Sequence, residues 1–138
     1  MKLLFLIPFI LHQLNYVNLK RGTTYNAVQS QCDSNPLKTA DGSIINLTKL
    51  KNKEIRWVAL SRDLIKDKFR HKNYPKKGHW EGYFEFGDTI TLFSNSSPQI
   101  NGKWVVHDCM NSRYSLSVDF LFDPKNNKPK LGICRDIK

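Results

Sequence analysis

The chain has 138 residues, 40% of them hydrophobic and 25% charged, which are ordinary values for one soluble globular domain and exclude a disordered chain. Lys and Arg (22) outnumber Asp and Glu (12), and the formal charge of +10 favours an anionic partner: nucleic acid, an anionic membrane surface or an acidic cell-wall polymer. Because no recognition helix or basic-region helix carries the lysines, specific nucleic-acid binding is not expected.

The first predicted element is an N-terminal leader. Lys2 is followed by an apolar run at residues 3–11 (LLFLIPFIL), and the sequence becomes polar at His12. The run has the length of a signal-peptide core and is too short to span a bilayer. We therefore expect residues 1–22 to be a signal peptide or leader and residues 23–138 to form one domain. A retained anchor and an N-terminal strand packed on the core are alternatives, because no Ala-x-Ala cleavage site follows the run.

Short strand-like runs separated by turn residues make up the rest of the chain. Asp41-Gly42 is a turn signal, and Asn101-Gly102 is a hairpin signal because both residue types tolerate positive φ. The sequence shows no pattern of a long amphipathic helix, so the expected class is all-β. Strands are predicted at residues 23–28, 44–47, 56–60, 89–93, 104–109, 117–122 and 131–135, and a short helix at residues 64–71.

Three cysteines, Cys32, Cys109 and Cys134, allow at most one disulfide and three possible pairings, or three small half-buried thiols. His107 and Cys109 are spaced to share one face of a strand. No Cys-x-x-Cys or His-x-x-x-His spacing supports a zinc site, so neither a metal nor any other cofactor is predicted. The other side chains weighed as zinc ligands are His71, His79 and Cys134.

Three aspartates are candidates for chemistry because of their positions in strand-like runs. Asp63 follows a strand, Asp108 ends one, and Asp119 lies inside the apolar run VDFLF. A carboxylate in an apolar strand is costly unless it is paired, hydrogen-bonded or protonated. Asp119 is therefore either a general acid whose pKa is raised by apolar surroundings, or a carboxylate that caps the backbone amides of a neighbouring loop.

Four segments in order resemble the 3D domain, a family named for its three aspartates. They are VALSRD at residues 58–63, FGDTI at 86–90, WVVHDCMN at 104–111 and SVDF at 117–120. Upstream, KTADG at residues 38–42 is similar to the Thr-Ala-x-Gly segment of RlpA-like and expansin-like barrels. The family commonly has two glycines after its second aspartate, where this chain has Met110 and Asn111.

The resemblance implies a small six-stranded double-psi β-barrel with one or two short helices. It also implies that Asp63, Asp108 and Asp119 are the family's three aspartates, with Asp119 at the position of the catalytic acid in a membrane-bound lytic transglycosylase. Such an acid protonates the leaving oxygen of a glycosidic bond, and its conjugate base then helps the sugar's C6 hydroxyl to close an anhydro ring. Asp63 and Asp108 would keep Asp119 protonated by like charge.

Aromatic and basic residues around the loop at 71–78 are predicted to bind the substrate. We expect Tyr74, Trp80 and Tyr83 to stack on sugar rings, and Lys76, Lys77 and Arg113 to meet carboxylates of the wall peptides.

The sequence thus predicts an exported, monomeric, peptidoglycan-cleaving protein of the periplasm or cell envelope, encoded by a bacterium or a phage, with no membrane span. The alternative is a catalytically inactive barrel that binds cell-wall glycan or builds a cell-surface or phage assembly. Nonspecific nucleic-acid binding is a third class, and it rests on charge alone.

Overall fold

The computed structural model describes residues 16–27, 35–67, 80–123 and 135–138, and these residues are mostly β-strands with few helices. The predicted all-β character is confirmed at this level. None of the helices in the described ranges is long and apolar enough to cross a membrane. The strands are β1 (Arg21–Tyr25), β2 (Trp57–Leu60), β3 (Lys66–Asp67), β4 (Trp80–Glu81), β5 (Thr89–Leu92), β6 (Gly102–Cys109) and β7 (Ser117–Leu121); α1 is Leu47–Lys51, and 3₁₀ turns occupy Arg62–Leu64 and Pro98–Ile100.

Five strands form one mixed sheet in the order β1-β7-β2-β6-β5. β1 runs parallel to β7 and β2 parallel to β6, whereas the β7–β2 and β6–β5 pairs are antiparallel. β3 and β4 form a separate antiparallel pair that lies beyond the end of β2. The central position of β2 brings residues of β6 and β7 to its two sides, and this arrangement assembles the candidate site.

The C-terminal residues contact both edges of the sheet. The Leu19 amide, just before β1, donates to the Ile137 carbonyl at 2.8 Å. Phe93, just after β5, and Lys138 exchange two backbone hydrogen bonds of 2.9 Å each. Ile137 itself is buried in the main core. Residues 137 and 138 therefore link the two strands that lie at opposite edges of the five-stranded sheet.

The two faces of the sheet pack against different clusters because side chains alternate along each strand. The main core includes Val58, Val106, Val118 and Phe120, all fully buried. Trp104 joins them, and its indole Nε1 donates to the Ile100 carbonyl at 2.8 Å, which satisfies its polar atom. The second cluster, on the opposite face, consists of Ala27, Ile45, Leu50 and Leu121.

The predicted strands at residues 56–60, 89–93, 104–109 and 117–122 are confirmed to within about two residues at each end, the usual uncertainty of strand limits. The predicted strand at 44–47 is wrong: Ile44 forms only an isolated bridge with Lys38, and α1 begins at Leu47. The predicted strand at 131–135 lies mostly outside the described residues.

The predicted helix at residues 64–71 is wrong over its described part. Leu64 ends a 3₁₀ turn, and Ile65 bridges to Phe84 before β3 begins. Leu64 and Ile65 are both buried, and their carbonyls accept hydrogen bonds from the segment at 82–84. Tertiary backbone pairing has therefore replaced the local helical pattern.

The predicted hairpin differs from the structure in its connection. β5 and β6 do form an antiparallel pair, but residues 93–101 connect them, and Gly102 opens β6 at φ +113° rather than completing a two-residue turn. The predicted end of the leader at residue 22 falls inside β1, and Val17 and Leu19 already pack on the main core. Residues 1–15 lie outside the described ranges.

Candidate functional site

A row of side chains crosses the sheet at the level of Ala59. Ala59 on β2 is in register with Asp108 on β6 and with Asp119 on β7, and Asp119 is in register with Thr23 on β1. Directly paired residues project from the same face of a sheet. The two aspartates therefore share a face, with Cα atoms about 10 Å apart across two strand spacings. Ala59, which lies between them, is buried, and the Tyr25 hydroxyl from the same face of β1 reaches Asp108 Oδ2 at 3.4 Å.

A β-bulge places His107 on the same face as Asp108. The register between β2 and β6 shifts after Val58, which pairs with Val106, whereas Ala59 pairs with Asp108. His107 is the extra residue, and such a residue reverses the alternation that follows it. Cys109 accordingly packs against the main core. The predicted common face for His107 and Cys109 is therefore wrong.

A tight turn at residues 38–44 docks onto this bulge. Gly42 has φ +86°, a conformation that favours glycine, so the predicted Asp41-Gly42 turn is confirmed. The Asp41 amide donates to the His107 carbonyl at 3.3 Å, and the Ala40 amide donates to Asp108 Oδ1 at 3.0 Å. Turn and strand are thus held together by backbone as well as side-chain contacts.

Asp41 and His107 form a close carboxylate–imidazole pair, with Asp41 Oδ2 at 2.6 Å from His107 Nδ1. The other carboxylate oxygen accepts from the Thr39 hydroxyl at 2.7 Å and from the Ser43 amide at 3.0 Å. Burial alone would raise the pKa of Asp41, but these hydrogen bonds, that of His107 first, hold it below its usual value. Trp57 supports the imidazole, with ring centroids 4.3 Å apart.

The Asp41 contact fixes the state of the imidazole. An ionised carboxylate can only accept a hydrogen bond, so Nδ1 of His107 carries the hydrogen. In the neutral imidazole, the lone pair then resides on Nε2. The His107 side chain is 19% exposed, so the ring is oriented by the protein without being sealed inside it.

Asp108 lies beside this pair in a different environment. Its Oδ1 accepts from the amides of Ala40 at 3.0 Å and Cys109 at 2.9 Å, and its Oδ2 accepts from the Tyr25 hydroxyl at 3.4 Å. Burial raises the pKa of Asp108, and the charge of Asp41 raises it further, although the three hydrogen bonds act in the opposite direction. Two neighbouring aspartates thus have pKa values displaced in opposite directions.

Asp119 is half-buried on the face opposite the main core. Its Oδ1 accepts a hydrogen bond of 2.9 Å from the hydroxyl of Thr23, its partner on β1. The neighbouring residues Val118 and Phe120 point the other way, into the main core. Val118 and Phe120 therefore do not flank its carboxylate in the fold.

Asp63 has a structural contact at the end of the sheet. It is exposed, and its Oδ2 accepts from the amide of Leu116 at 3.0 Å. Leu116 has φ +44°, an uncommon conformation for a residue with a side chain, and the bond helps to hold the turn before β7. Because Leu116 precedes Asp119 by three residues, Asp63 is about 10 Å along the sheet from the row at Ala59.

Three of the six predicted substrate-binding residues lie within the described ranges. Trp80 is half-buried, and the guanidinium of Arg62 lies 5.4 Å from the centre of its ring. Tyr83 is 73% exposed, and Arg113 is exposed beside Tyr114. The remaining predicted residues, Tyr74, Lys76 and Lys77, lie outside the described residues.

Sequence reasoning missed Asp41, His107 and Tyr25 as parts of one site. The sequence alone indicates a turn at Asp41 and a potential metal ligand at His107. The sequence does place His107 and Asp108 next to each other at the end of a strand. Consecutive side chains share one face only where the strand has a bulge, so this pair alone does not predict the site. Within the described ranges, no group of three or more His, Cys, Asp or Glu side chains could hold a metal ion.

The chain matches no protein-family model, no curated protein and no solved structure.

Proposed function

We propose that this protein is an exported peptidoglycan-active domain of the cell envelope that cleaves glycan strands without water, in the manner of a lytic transglycosylase, with Asp108 as general acid. One observation carries the proposal: the bulge puts His107 and Asp108 side by side on one face. The carboxyl has a raised pKa and the imidazole is oriented by a carboxylate. Groups whose pKa values are pushed apart in this way suit acid–base catalysis.

Burial and the charge of Asp41 raise the pKa of Asp108 against its three hydrogen bonds, and this favours the role of acid. Both amide donors meet Oδ1, so the proton of the neutral carboxyl resides on Oδ2. This proton passes to the glycosidic oxygen as the bond from that oxygen to C1 breaks. Nε2 of His107 takes the proton of the C6 hydroxyl, whose oxygen bonds to C1 and closes the anhydro ring. The pair returns to its starting state when His107 loses its proton and Asp108 regains one.

Asp119 is the competing candidate for the acid. It shares the row with Asp108, and the resemblance to the 3D domain favours it. Its Oδ1 accepts a hydrogen bond from the Thr23 hydroxyl, so this carboxylate already binds a hydroxyl group. We therefore assign to Asp119 the binding of a sugar hydroxyl at the other side of Ala59.

The proposal extends to a closed six-stranded double-psi barrel. The support is the position of residues 137 and 138, whose backbones bond to Leu19 at one edge of the sheet and to Phe93 at the other. Residues 135–138 would then be the sixth strand, and the carboxylate row would lie on the outer face of the barrel wall, with His107 partly exposed.

The test is incubation of the purified protein with peptidoglycan sacculi, followed by mass spectrometry for anhydro-muropeptides. We expect Asp108→Asn to lower the rate by about 10²–10⁴, the usual contribution of a general acid. Asp63→Asn is the matched control, because it makes the same change on an exposed carboxylate away from the row. If Asp119→Asn abolishes cleavage and Asp108→Asn does not, the acid is Asp119. The absence of anhydro-muropeptides after incubation with the wild-type protein would exclude the lytic transglycosylase reaction.

A second candidate function is a catalytically inactive barrel that binds cell-wall glycan. The observation in its favour is that Asp108 accepts two backbone amides, a pattern equally suited to a carboxylate that only fastens the turn at 38–44 to β6. Incubation with the same sacculi distinguishes the two functions. A catalytically inactive barrel would sediment with the sacculi and release no anhydro-muropeptides.

A further inference from the structure

Two guanidinium groups lie against one tyrosine ring near the start of β1. The Cζ atom of Arg21 is 4.8 Å from the centroid of the Tyr114 ring, and that of Arg113 is 4.9 Å from it. Arg113 Nη2 also donates to the Tyr114 hydroxyl at 2.9 Å. The face of an aromatic ring attracts a cation, so Tyr114 holds both positive charges in place.

These cations lack anionic partners in the described part of the chain. Neither Arg21 nor Arg113 forms an ion pair there. The Nε atom of Arg21 is buried and has no hydrogen-bond acceptor among the described residues. A buried donor without an acceptor costs free energy, and two like charges at one ring repel each other. An anion bound at Arg21 Nε would remove the first cost and offset the second.

The cluster is on the same face of the sheet as the carboxylate row. Side chains alternate along β1, so Arg21 and Thr23 project from one face, about 7 Å apart along the strand. Arg21 is in register with Ser117 and Thr23 with Asp119, which makes the two pairs consecutive positions on that face. A ligand that lies along β1 would meet the guanidinium group of Arg21 and the carboxylate of Asp119 together.

We propose that Arg21, Arg113 and Tyr114 form a binding subsite for a carboxylate carried by the glycan's peptide substituent. The planar fork of Arg matches the two oxygens of a carboxylate, and Arg21 Nε supplies one of the donors. This inference rests on the proposed function for the identity of the ligand, but its geometry is independent of Asp108 and His107. A sugar polymer with regularly spaced carboxylates would be held in register with the acid.

The test is a calorimetric titration of the protein with N-acetylmuramoyl-L-alanyl-D-glutamate, which has two free carboxylates and no glycosidic bond to cleave. The same compound with its carboxylates amidated and inorganic phosphate are the comparison ligands. We expect Arg21→Gln and Arg113→Gln each to weaken binding of the free acid by about tenfold, the loss typical of a charge-assisted hydrogen bond. Lys20→Gln is the matched control, since it removes the same charge from an exposed neighbour and should change binding by less than about twofold.

Arg113 is exposed, so its variant should fold, and the melting temperature of Arg21→Gln shows whether that variant is folded when its binding is measured. Equal binding of the amidated compound, or an equal loss in the Lys20 variant, would overturn the subsite. Tighter Arg21-dependent binding of phosphate would overturn the carboxylate assignment. Because the readout is binding, a protein that binds through Arg21 but releases no anhydro-muropeptides would refute only the proposed catalysis.

Discussion

His107 and Asp108 are consecutive residues of β6, yet both side chains face the turn at residues 38–44. In a regular strand they would lie on opposite faces, and one of them would enter the main core. The shift in register after Val58 prevents this, because it adds one residue to β6 between two consecutive pairs with β2. Three groups that can exchange protons, those of Asp41, His107 and Asp108, are thereby adjacent on one face.

The first prediction concerns Asp108→Asn and pH. Asn can accept both amide hydrogen bonds with Oδ1 and donate to the Tyr25 hydroxyl, so the contacts survive while the buried charge is removed. The folded state holds the Asp108 proton more tightly than the unfolded state does, so wild-type stability falls as pH rises from about 3.9 through the raised pKa. We expect the variant to be at least as stable as the wild type at pH 7, and its advantage to vanish below about pH 4. Urea unfolding across this range measures it, and a loss of stability at pH 7 would contradict it.

The second prediction is the opposite pH dependence for Asp41→Asn. The pKa of Asp41 is lowered in the fold, so its ionised form contributes stability above about 3.9, which is lost as pH falls through the folded pKa. We expect the variant to lose about 1–3 kcal/mol at pH 7, because its bond to His107 is weakened, and the difference to shrink in acid. The same urea series measures it, with Asp108→Asn as the internal comparison. Parallel pH profiles for the two variants would show that their environments are not distinct.

The main strands could be predicted because their sequence patterns agree with their burial. In β5, the buried residues Ile90 and Leu92 alternate with exposed Thr89 and Thr91, which is the pattern of a half-buried strand. The helix predicted from Leu64 failed for a non-local reason, since the carbonyl of that residue accepts hydrogen bonds from Tyr83 and Phe84. Sequence periodicity contains no information about such pairing.

The candidate site could be predicted only in part. Asp108 and Asp119 were identified from their strand positions, and their common row follows from strand pairing. The contact between Asp41 and His107 joins residues that are 66 positions apart. It also depends on the bulge, which the residue types at 106–109 do not predict. The context of Asp119 was also misleading, because Val118 and Phe120 face the main core while Asp119 faces away from it.

The third prediction concerns Gly82, where the backbone leaves no room for a side chain. A Cβ atom there would lie 2.2 Å from the carbonyl carbon of Leu64, and backbone cannot yield as a flexible side chain can. We expect Gly82→Ala to lose about 1–3 kcal/mol or more through overpacking, measured by urea unfolding. Gly42→Ala is the control: nothing lies within 4 Å, and its cost should be only the strain of φ +86°, about 1 kcal/mol. Equal losses would mean that the close approach at Gly82 does not contribute.

The last prediction concerns Asp136, which anchors the C-terminal residues. Its Oδ1 accepts the hydroxyls of Ser94 and Ser96, each at 2.6 Å, and its Oδ2 accepts the amides of Asn95 and Ser96 at 3.1 and 3.0 Å. We expect Asp136→Ala to lose about 1–3 kcal/mol, because four donors lose a charged acceptor. Arg135→Ala is the control, since Arg135 is the exposed neighbour of Asp136.

Hydrogen exchange decides whether this anchor also joins the edges of the sheet. The amides of Leu19 and Phe93 donate to the carbonyls of Ile137 and Lys138, so both should exchange slowly in the wild type. If the Asp136 anchor positions the last residues between β1 and β5, Asp136→Ala should speed exchange at both amides and leave that of Ser61, which donates to Ser117 in the centre of the sheet, unchanged. A destabilised variant that keeps slow exchange at Leu19 and Phe93 would show that Asp136 stabilises only the loop at 94–97. Faster exchange at both would show that the two sheet edges are joined through the C-terminal residues, as a closed barrel requires.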